Sequence, residues 1–239
     1  MKPVEYTLDA SPGTCATLGL IVLQVDETIE SDFRRLLPDP RIALHVARLP
    51  SGSELTQDSI AEMKADLPHA ASLLPQQPDY NAVAYACTSG ATLLGPERVR
   101  KLVRQGCTTT LVLDPLSAVL SECDERGIKR LGMVSPYTPD IGEPVAAALR
   151  NGGIEVVASV HFGEAVEANV ARISGDSVRA AAEHVSGSVD GVFLSCTNLR
   201  TLDLIAPLEQ SLGVPVLSSN LSLARAMARA AGTDVALPS

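Results

Sequence analysis

The chain has no tryptophan, and aromatic side chains make up only 3% of its 239 residues. Its hydrophobic share is nevertheless 46%, so alanine, valine, leucine and isoleucine must form the interior. An aliphatic core of this kind suits parallel strands covered by helices. The length allows one large domain or two small ones, because domains most often hold about 100–150 residues.

Basic clusters and long apolar runs are also missing. The net charge is -9, and with no local patch of lysine or arginine the chain would repel phosphate backbones, which excludes nucleic acid as an expected partner. No apolar run approaches the ~20 residues that a membrane span needs, and no leader pattern is visible at the N-terminus. We therefore expect no membrane association and a cytoplasmic setting.

The five cysteines are an odd number, widely spaced and without a Cys-x-x-Cys pair. This distribution argues against a disulfide framework and against a zinc site. The four histidines are scattered, and the sequence has no glycine-rich phosphate loop and no lysine in a cofactor context. The sequence predicts a protein that needs neither a metal ion nor a cofactor.

Short apolar runs alternate with longer amphipathic segments along the whole chain. Strand and helix in this alternation predict an α/β fold of parallel sheets with helices on both faces. The predicted strands span residues 18–25, 42–49, 82–86, 109–113, 131–134, 154–160, 191–194 and 214–217. The predicted helices span residues 56–67, 95–104, 116–126, 144–150, 177–185, 202–212 and 221–230.

Two stretches of the first half recur in the second half. Residues 80–89 match residues 189–198 and share a Cys-Thr pair, and the Leu-Gly pair at 18–19 matches the Leu-Gly pair at 131–132. Because both matches are separated by nearly the same length of chain, they indicate an internal duplication. We predict two pseudo-symmetric half-domains, the first formed by residues 1–125 with 221–239 and the second by residues 126–220.

The duplication brings two cysteines into equivalent places. Cys87 and Cys196 each follow the carboxyl end of a predicted strand, which is the edge where open parallel sheets bind ligands. If the two half-domains face each other, these edges meet, and a thiol lies on each wall of the site between them. We also expect a helix to begin after each cysteine and to lower the pKa of its thiol.

Two opposed thiols can invert a stereocentre. One sulfur, as thiolate, removes a proton from the carbon next to a carboxylate, and the other returns a proton to the opposite face. The residues after each cysteine offer hydroxyl, amide and backbone donors for the substrate carboxylate and for the charge that develops on it. These candidate substrate-binding residues are Thr88, Ser89, Thr197 and Asn198.

The two cysteine motifs, Ala-Cys-Thr-Ser-Gly at 86–90 and Ser-Cys-Thr-Asn at 195–198, resemble those of the aspartate/glutamate racemase superfamily. The similarity is greater to its branch of maleate cis-trans isomerases and arylmalonate decarboxylases, and it extends to residues 134–138 and 167–172. The resemblance implies two similar α/β half-domains, no cofactor and a homo-oligomer. It also implies that Tyr137 contacts a substrate carboxylate and that Asn169 binds substrate.

Three departures from the family pattern bear on the reaction. The decarboxylases keep only the second cysteine, so the presence of both disfavours decarboxylation. Asp26 replaces an asparagine with which the isomerases hold a substrate carboxylate, and an aspartate there favours an ammonium group; the alternative is that Asp26 only caps a helix. Asn198 stands where glutamate racemases have a histidine, which disfavours plain glutamate as the substrate.

The leading hypothesis is a cofactor-independent racemase or epimerase of a small amino-acid-like carboxylate. The overall pattern is similar to the racemase-like proteins of ectoine utilisation, whose substrates are amino-acid derivatives. The alternative is a maleate-type cis-trans isomerase in which Cys87 is the nucleophile and Cys196 donates a proton. A third hypothesis, from another class, is a carboxylate-binding protein without turnover, which would have no use for two matched thiols.

Overall fold

The computed structural model describes residues 3–10, 12–54 and 56–237. Its first sheet has four parallel strands in the order β2-β1-β3-β4. The central strands β1 and β3 are buried along their whole length, which explains why they appear in the sequence as continuous apolar runs. The strands are β1 (Ala16–Leu23), β2 (Ile42–Leu49), β3 (Ala82–Ala86) and β4 (Val112–Leu113).

The second sheet repeats this arrangement. It has four parallel strands in the order β6-β5-β7-β8, so that β5 and β7 take the central places of β1 and β3. These strands are β5 (Arg130–Ser135), β6 (Glu155–His161), β7 (Gly191–Leu194) and β8 (Val216–Ser218). The two sheets confirm the predicted α/β fold with two pseudo-symmetric halves.

Helices connect the strands and cover the sheets, as parallel strand order requires. They are α1 (Ile29–Leu36), α2 (Gln57–Ser72), α3 (Thr88–Leu94), α4 (Pro96–Gly106), α5 (Pro115–Arg126), α6 (Pro139–Asn151), α7 (Glu167–Val170), α8 (Gly175–Val185), α9 (Ile205–Leu212) and α10 (Ser219–Ala230), with a short 3₁₀ helix at Leu202–Leu204 before α9.

The strand register supports the internal duplication. Leu18 of β1 pairs with Ala82 of β3, and Leu131 of β5 pairs with Gly191 of β7. These are the residues that the two sequence matches place in equivalent positions. The matches therefore reflect one repeated supersecondary unit, and they place the cysteine after β3 in the position of the cysteine after β7.

The C-terminal helix returns to the first half. Helix α10 packs on α5 and α1 and against strands β3 and β4, and beyond it the backbone N–H of Ala236 donates to the carbonyl oxygen of Leu36 at 2.8 Å. These contacts agree with the assignment of the C-terminal segment to the first half-domain. The exact boundaries of the two half-domains stay a prediction.

Three helices differ from the sequence prediction, and one of them, the single turn α7, was not predicted. Helix α6 begins at Pro139 and not at Pro144, because Pro139 occupies the first helical position after an extended Thr138, where a missing N–H costs nothing. Helix α1 was not predicted at all. It has only 8 residues, and its apolar spacing is too short to stand out against the surrounding polar residues.

Gly19 and Gly132 are equivalent residues of β1 and β5, but their surroundings differ. A methyl group on Gly132 would overlap the backbone carbonyl oxygen of Val185, which cannot move without shifting helix α8. A methyl group on Gly19 would meet the side chains of Val83 and Leu74 at 2.9 and 3.0 Å. Side chains can adjust by changing rotamer, whereas backbone cannot.

We therefore expect Gly132→Ala to lower the free energy of unfolding by about 3 kcal/mol or more, and Gly19→Ala to cost no more than about 1–2 kcal/mol. Equilibrium denaturation in urea would measure both. Equal losses in the two variants would contradict this assignment of the contacts.

Candidate active site

Cys87 follows the last residue of β3 and directly precedes α3. Its sulfur accepts a hydrogen bond from the backbone N–H of Gly90 at 3.2 Å, and the hydroxyl of Ser89 lies 3.6 Å from it. Only 3% of the residue is exposed. The N–H of Gly90 and the hydroxyl of Ser89 thus offset part of the cost of forming a thiolate at this buried sulfur.

Cys196 follows β7 in the equivalent place, but its surroundings differ from the prediction. Helix formation does not begin here; residues 195–201 form a loop, and the φ angle of Cys196 is 105°. A residue with a side chain pays about 1–3 kcal/mol to hold such a backbone. The sulfur accepts from the backbone N–H of Asn198 at 3.4 Å, so the loop, and not a helix, places a donor on the sulfur.

The two cysteine loops are joined through the start of α10. The backbone N–H of Cys196 donates to the hydroxyl oxygen of Ser219 at 3.0 Å, and this oxygen lies 2.8 Å from the hydroxyl oxygen of Thr88. The hydroxyl of Thr197 also donates to the carbonyl oxygen of Ala86 at 3.3 Å. Both cysteines therefore belong to one buried site between the two halves.

Asn198 connects the second cysteine loop to two other loops. Its side-chain oxygen accepts from the backbone N–H of Glu27 at 2.9 Å, and its carbonyl oxygen accepts from the hydroxyl of Thr28 at 2.8 Å. Its side-chain nitrogen donates to the carbonyl oxygen and the carboxylate of Glu167, at 3.0 and 3.2 Å. The side chain predicted to bind substrate thus has all its polar atoms occupied by protein.

Asp26 lies in the loop after β1 and is only 4% exposed. Its Oδ1 accepts from the backbone N–H groups of Thr28 and Ile29, at 2.8 and 2.9 Å, which is the capping role that the sequence left open. Its Oδ2 is buried without a hydrogen-bond partner in the described part of the chain. The contact of this carboxylate with a substrate ammonium stays a prediction.

Tyr137 is buried just after β5. Burial holds the pKa of its hydroxyl well above the usual range, and the charges of both cysteines and of Glu167 act in the same direction. Tyr137 follows β5, which pairs with β7, the strand that ends just before Cys196. Its contact with a substrate carboxylate stays a prediction.

Asn169 and Glu167 lie on the single turn of α7, and only Glu167 points inward. Asn169 is exposed, whereas Glu167 is 4% exposed. The sequence analysis singled out the asparagine and missed the glutamate. A weak signal was present, because Glu167 and Val170 are three residues apart and share the buried face of the turn. Whether Asn169 binds substrate stays a prediction.

The electrostatic surroundings of the two sulfurs differ. Burial raises the pKa of Cys87 to about 11, while the hydrogen bonds from Ser89 and Gly90 act against this rise. Burial also holds the pKa of Cys196 well above its usual range, and the charges of Glu167 and Asp26 raise it further. Glu167 raises the pKa of Cys87 as well. The prediction of a lowered thiol pKa is therefore wrong for both cysteines, because burial outweighs the hydrogen bonds that each sulfur receives.

The neighbouring carboxyl groups are themselves shifted by burial. Desolvation raises the pKa of Glu167 to about 7 and that of Asp32 to about 6, and it also raises the pKa of Asp26. The charge of Asp26 raises the pKa of Glu167 as well. Coupled buried carboxyl groups of this kind are found at functional sites more often than elsewhere.

The rest of the described chain offers no competing centre. Within residues 3–10, 12–54 and 56–237, no group of three or more histidine, cysteine, aspartate or glutamate side chains is placed to hold a metal ion. In the same ranges no helix has the length and apolarity to cross a bilayer. A cleft of about 380 Å³ lies next to Thr28, Asp32 and Thr201, but the cysteines do not line it.

Known proteins with similar sequences are enzymes. The chain is 26% identical over 234 residues to the maleate isomerase of Nocardia farcinica, with 92% of each chain covered. It is 29% identical over 217 residues to the arylmalonate decarboxylase of Bordetella bronchiseptica, with 85% of each covered. These relatives support the predicted isomerase, and they favour the cis-trans isomerase over the racemase.

The fold agrees with solved structures. One is a cysteine-to-serine mutant of the Nocardia farcinica maleate cis-trans isomerase with a covalently bound succinylcysteine intermediate. It superposes with a TM-score of 0.80 at 22% identity, covering 91% of this chain and 93% of that one. The family model described as arylmalonate decarboxylase matches residues 18–239, and the predicted resemblance is thereby confirmed. The chain belongs to the arylmalonate decarboxylase family.

Proposed function

We propose that the protein is a cofactor-independent cis-trans isomerase of a small unsaturated carboxylate, with Cys87 as nucleophile and Cys196 as proton donor. The difference between the two sulfurs carries this proposal. Cys87 lies at the start of α3, where the backbone N–H of Gly90 donates to its sulfur at 3.2 Å and the hydroxyl of Ser89 lies 3.6 Å away. Cys196 instead lies on a loop with a φ angle of 105°, and its sulfur accepts from the backbone N–H of Asn198 at 3.4 Å. Unequal sulfurs suit two different tasks better than one task shared by symmetry.

The reaction needs no external reagent. The thiolate of Cys87 adds to one carbon of the double bond, and the electron pair of that bond moves onto the other carbon and its carboxylate. The bond between the two carbons is then single and can rotate. Cys196 donates its proton to the carbanion and later takes it back, after which the carbon–sulfur bond breaks and the trans double bond forms.

The donors around the sulfurs suit the carboxylate on which this charge develops. Hydroxyl groups of Thr88, Ser89 and Tyr137, and backbone N–H groups of the two cysteine loops, lie in a buried environment where each hydrogen bond is stronger than in water. Their direct contact with substrate belongs to the proposal. The relatives support it, since the isomerases among them act on maleate by name.

A racemase or epimerase of an amino-acid-like carboxylate is the second candidate. The unpartnered Oδ2 of Asp26 favours it, because a buried carboxylate without a partner suits an ammonium group. Ectoine derivatives would be substrates of this kind. The proton-transfer chemistry of this candidate would use both cysteines as bases on opposite faces of one carbon. The homo-oligomeric state expected for the family stays a prediction under either function.

Replacing each cysteine separates the two candidates. In the isomerase, Cys87→Ser should lower kcat with maleate by about 10³-fold or more and prevent any covalent adduct, since the nucleophile is gone. Cys196→Ser should also stop turnover but still form an adduct on Cys87, because the nucleophile remains and water can slowly protonate the carbanion. Intact-protein mass spectrometry after incubation with maleate would detect it. Cys15→Ser, an exposed cysteine outside the site, is the matched control.

A different outcome would contradict the proposed isomerase. Wild-type protein that leaves maleate unchanged, but exchanges the α-hydrogen of an amino-acid derivative in heavy water, would establish the racemase. In that case each cysteine variant would still exchange the α-hydrogen of one enantiomer, because one base remains on one face.

The rate should depend on the ionisation of Cys87. Because its pKa of about 11 lies above neutrality, the reactive thiolate is the minor form at pH 7 and becomes more abundant as pH rises. We expect kcat/KM to rise about tenfold per pH unit between pH 7 and 9. Burial also holds the pKa of Cys196 well above its usual range, so no decline should appear in this range.

Glu167→Gln should move this rising limb to lower pH, because a negative charge that raises the pKa of Cys87 is removed. The exposed Glu155→Gln serves as the control and should leave the profile unchanged. The measurement is kcat/KM from pH 6 to pH 10. A flat profile, or a limb that Glu167→Gln does not move, would contradict the assigned role of the Cys87 thiolate.

A further inference from the structure

The buried charge of this protein is of one sign. Among the described residues, no lysine, arginine or histidine side chain is buried, whereas five carboxylic acids are. Two of these, Asp26 and Glu167, lie beside the loop of Cys196, because Asn198 hydrogen-bonds to Glu167 and to the backbone N–H that follows Asp26. The buried acids are Asp26, Asp32, Asp114, Glu122 and Glu167.

Most of these buried carboxyl groups have protein partners. Glu122 pairs with Arg225 and Arg126, and Asp114 accepts from the backbone and hydroxyl of Ser117 at the start of α5. Both oxygens of Asp114 are therefore bonded, whereas Glu122 binds its two arginines through Oε1 and its buried Oε2 has no hydrogen-bond partner in the described ranges. The charge of Glu122 is nevertheless balanced by these arginines. The carboxyl groups beside Cys196 are not paired in this way.

Asp26 has one satisfied and one free oxygen. Its Oδ1 already accepts two backbone N–H groups, whereas Oδ2 is buried and has no hydrogen-bond partner in the described ranges. The hydroxyl of Thr197 is near enough to lower the pKa of this carboxyl, but it donates to the carbonyl oxygen of Ala86 at 3.3 Å. An unpaired buried carboxylate oxygen is costly. A donor supplied by the substrate would remove that cost.

Glu167 contributes a second hydrogen-bond acceptor next to Asp26, on the other side of Asn198. Asn198 satisfies its Oε2 with one hydrogen bond, and the same asparagine holds the loop of Asp26 through the backbone N–H of Glu27. The two carboxyl groups are thereby fixed on either side of Asn198. They present acceptor oxygens, with no buried cation between them in the part of the chain that the structure describes.

We propose that Asp26 and Glu167 form an acceptor subsite that takes an N–H donor of the substrate, a carboxamide or an ammonium group. The substrate would then carry one carboxylate and one nitrogen donor in place of two carboxylates. This inference rests on the proposed function, because the carboxylate end must lie among the donors around Cys87.

The two acids of this subsite disfavour the binding of a dicarboxylate. Its second carboxylate would meet two buried acids. Arg48 donates to the backbone carbonyl of Asp26 at 3.0 Å, but its side chain is 44% exposed and already paired with Glu30, so water and Glu30 screen its charge. At least one of the three carboxyl groups would have to take up a proton. A carboxamide keeps the size of the carboxylate and turns an acceptor into a donor. The subsite therefore selects against maleate itself and for a half-amide or an amine of similar length.

Saturated analogues test the subsite without any turnover. Isothermal titration calorimetry of the wild-type protein would compare succinamate and β-alanine, which carry an N–H donor, with succinate and with monomethyl succinate, which has the charge of succinamate but no donor. We expect succinamate or β-alanine to bind about 10–100-fold more tightly than the other two, the range for a hydrogen bond to a buried charge. The two donors separate amide from ammonium.

The variant Asp26→Asn should abolish or reverse this preference, because asparagine keeps an Oδ1 acceptor for the backbone of Thr28 and Ile29 and replaces the free oxygen by a donor. Asp32→Asn is the matched control, since it makes the same change in a nearby buried acid whose Oδ2 already accepts from Asn220. It should keep the wild-type preference.

Succinate binding as tightly as succinamate and β-alanine, or no binding of either donor compound at millimolar concentration, would overturn the subsite. Equal shifts in Asp26→Asn and Asp32→Asn would overturn it too. Turnover of maleamate and maleate is measured separately. If the protein isomerises neither maleamate nor maleate, the proposed isomerase is overturned, whereas a preference for succinate overturns only the subsite.

Discussion

The hydroxyl of Ser219 holds together the two parts on which the site depends. It accepts from the backbone of Cys196 and contacts the hydroxyl of Thr88 next to Cys87, so one side chain fixes the loops of both halves. Because it is fully buried, water cannot compete for these hydrogen bonds. The strained backbone of Cys196 persists because these bonds hold it.

Ser219 fixes where the two cysteine loops lie, and the element that follows each cysteine then determines which groups surround its sulfur. Helix α3 begins directly after Cys87 and turns the N–H of Gly90 toward its sulfur. The loop after Cys196 instead brings Asn198 back onto its sulfur and against Glu167. A duplicated scaffold thus carries two different microenvironments. The symmetry of the sheets is a property of the backbone, whereas the asymmetry of the chemistry comes from the loops.

Much of the scaffold could be predicted because it depends on short-range patterns. The apolar runs gave the central strands β1, β3, β5 and β7 to within a few residues, and the repeated Cys-Thr motif placed the two cysteines at matching strand ends. The short helix α1 was missed, and the helix expected after Cys196 is a loop. Local helix propensity predicts neither the presence of α1 nor the loop after Cys196, because packing between the two halves decides both.

The sequence by itself determined the layered α/β fold, the duplication and the pair of cysteines, because periodicity, composition and internal repeats are written along the chain. Only the tertiary structure decided which polar groups surround each sulfur. Three residues outside both cysteine motifs contact the loop of Cys196: Glu167, Ser219 and Asn220. They reach it because strands, helices and loops from both halves converge there. Burial at that convergence then sets the pKa of every group in it, and burial is a property of the folded chain alone.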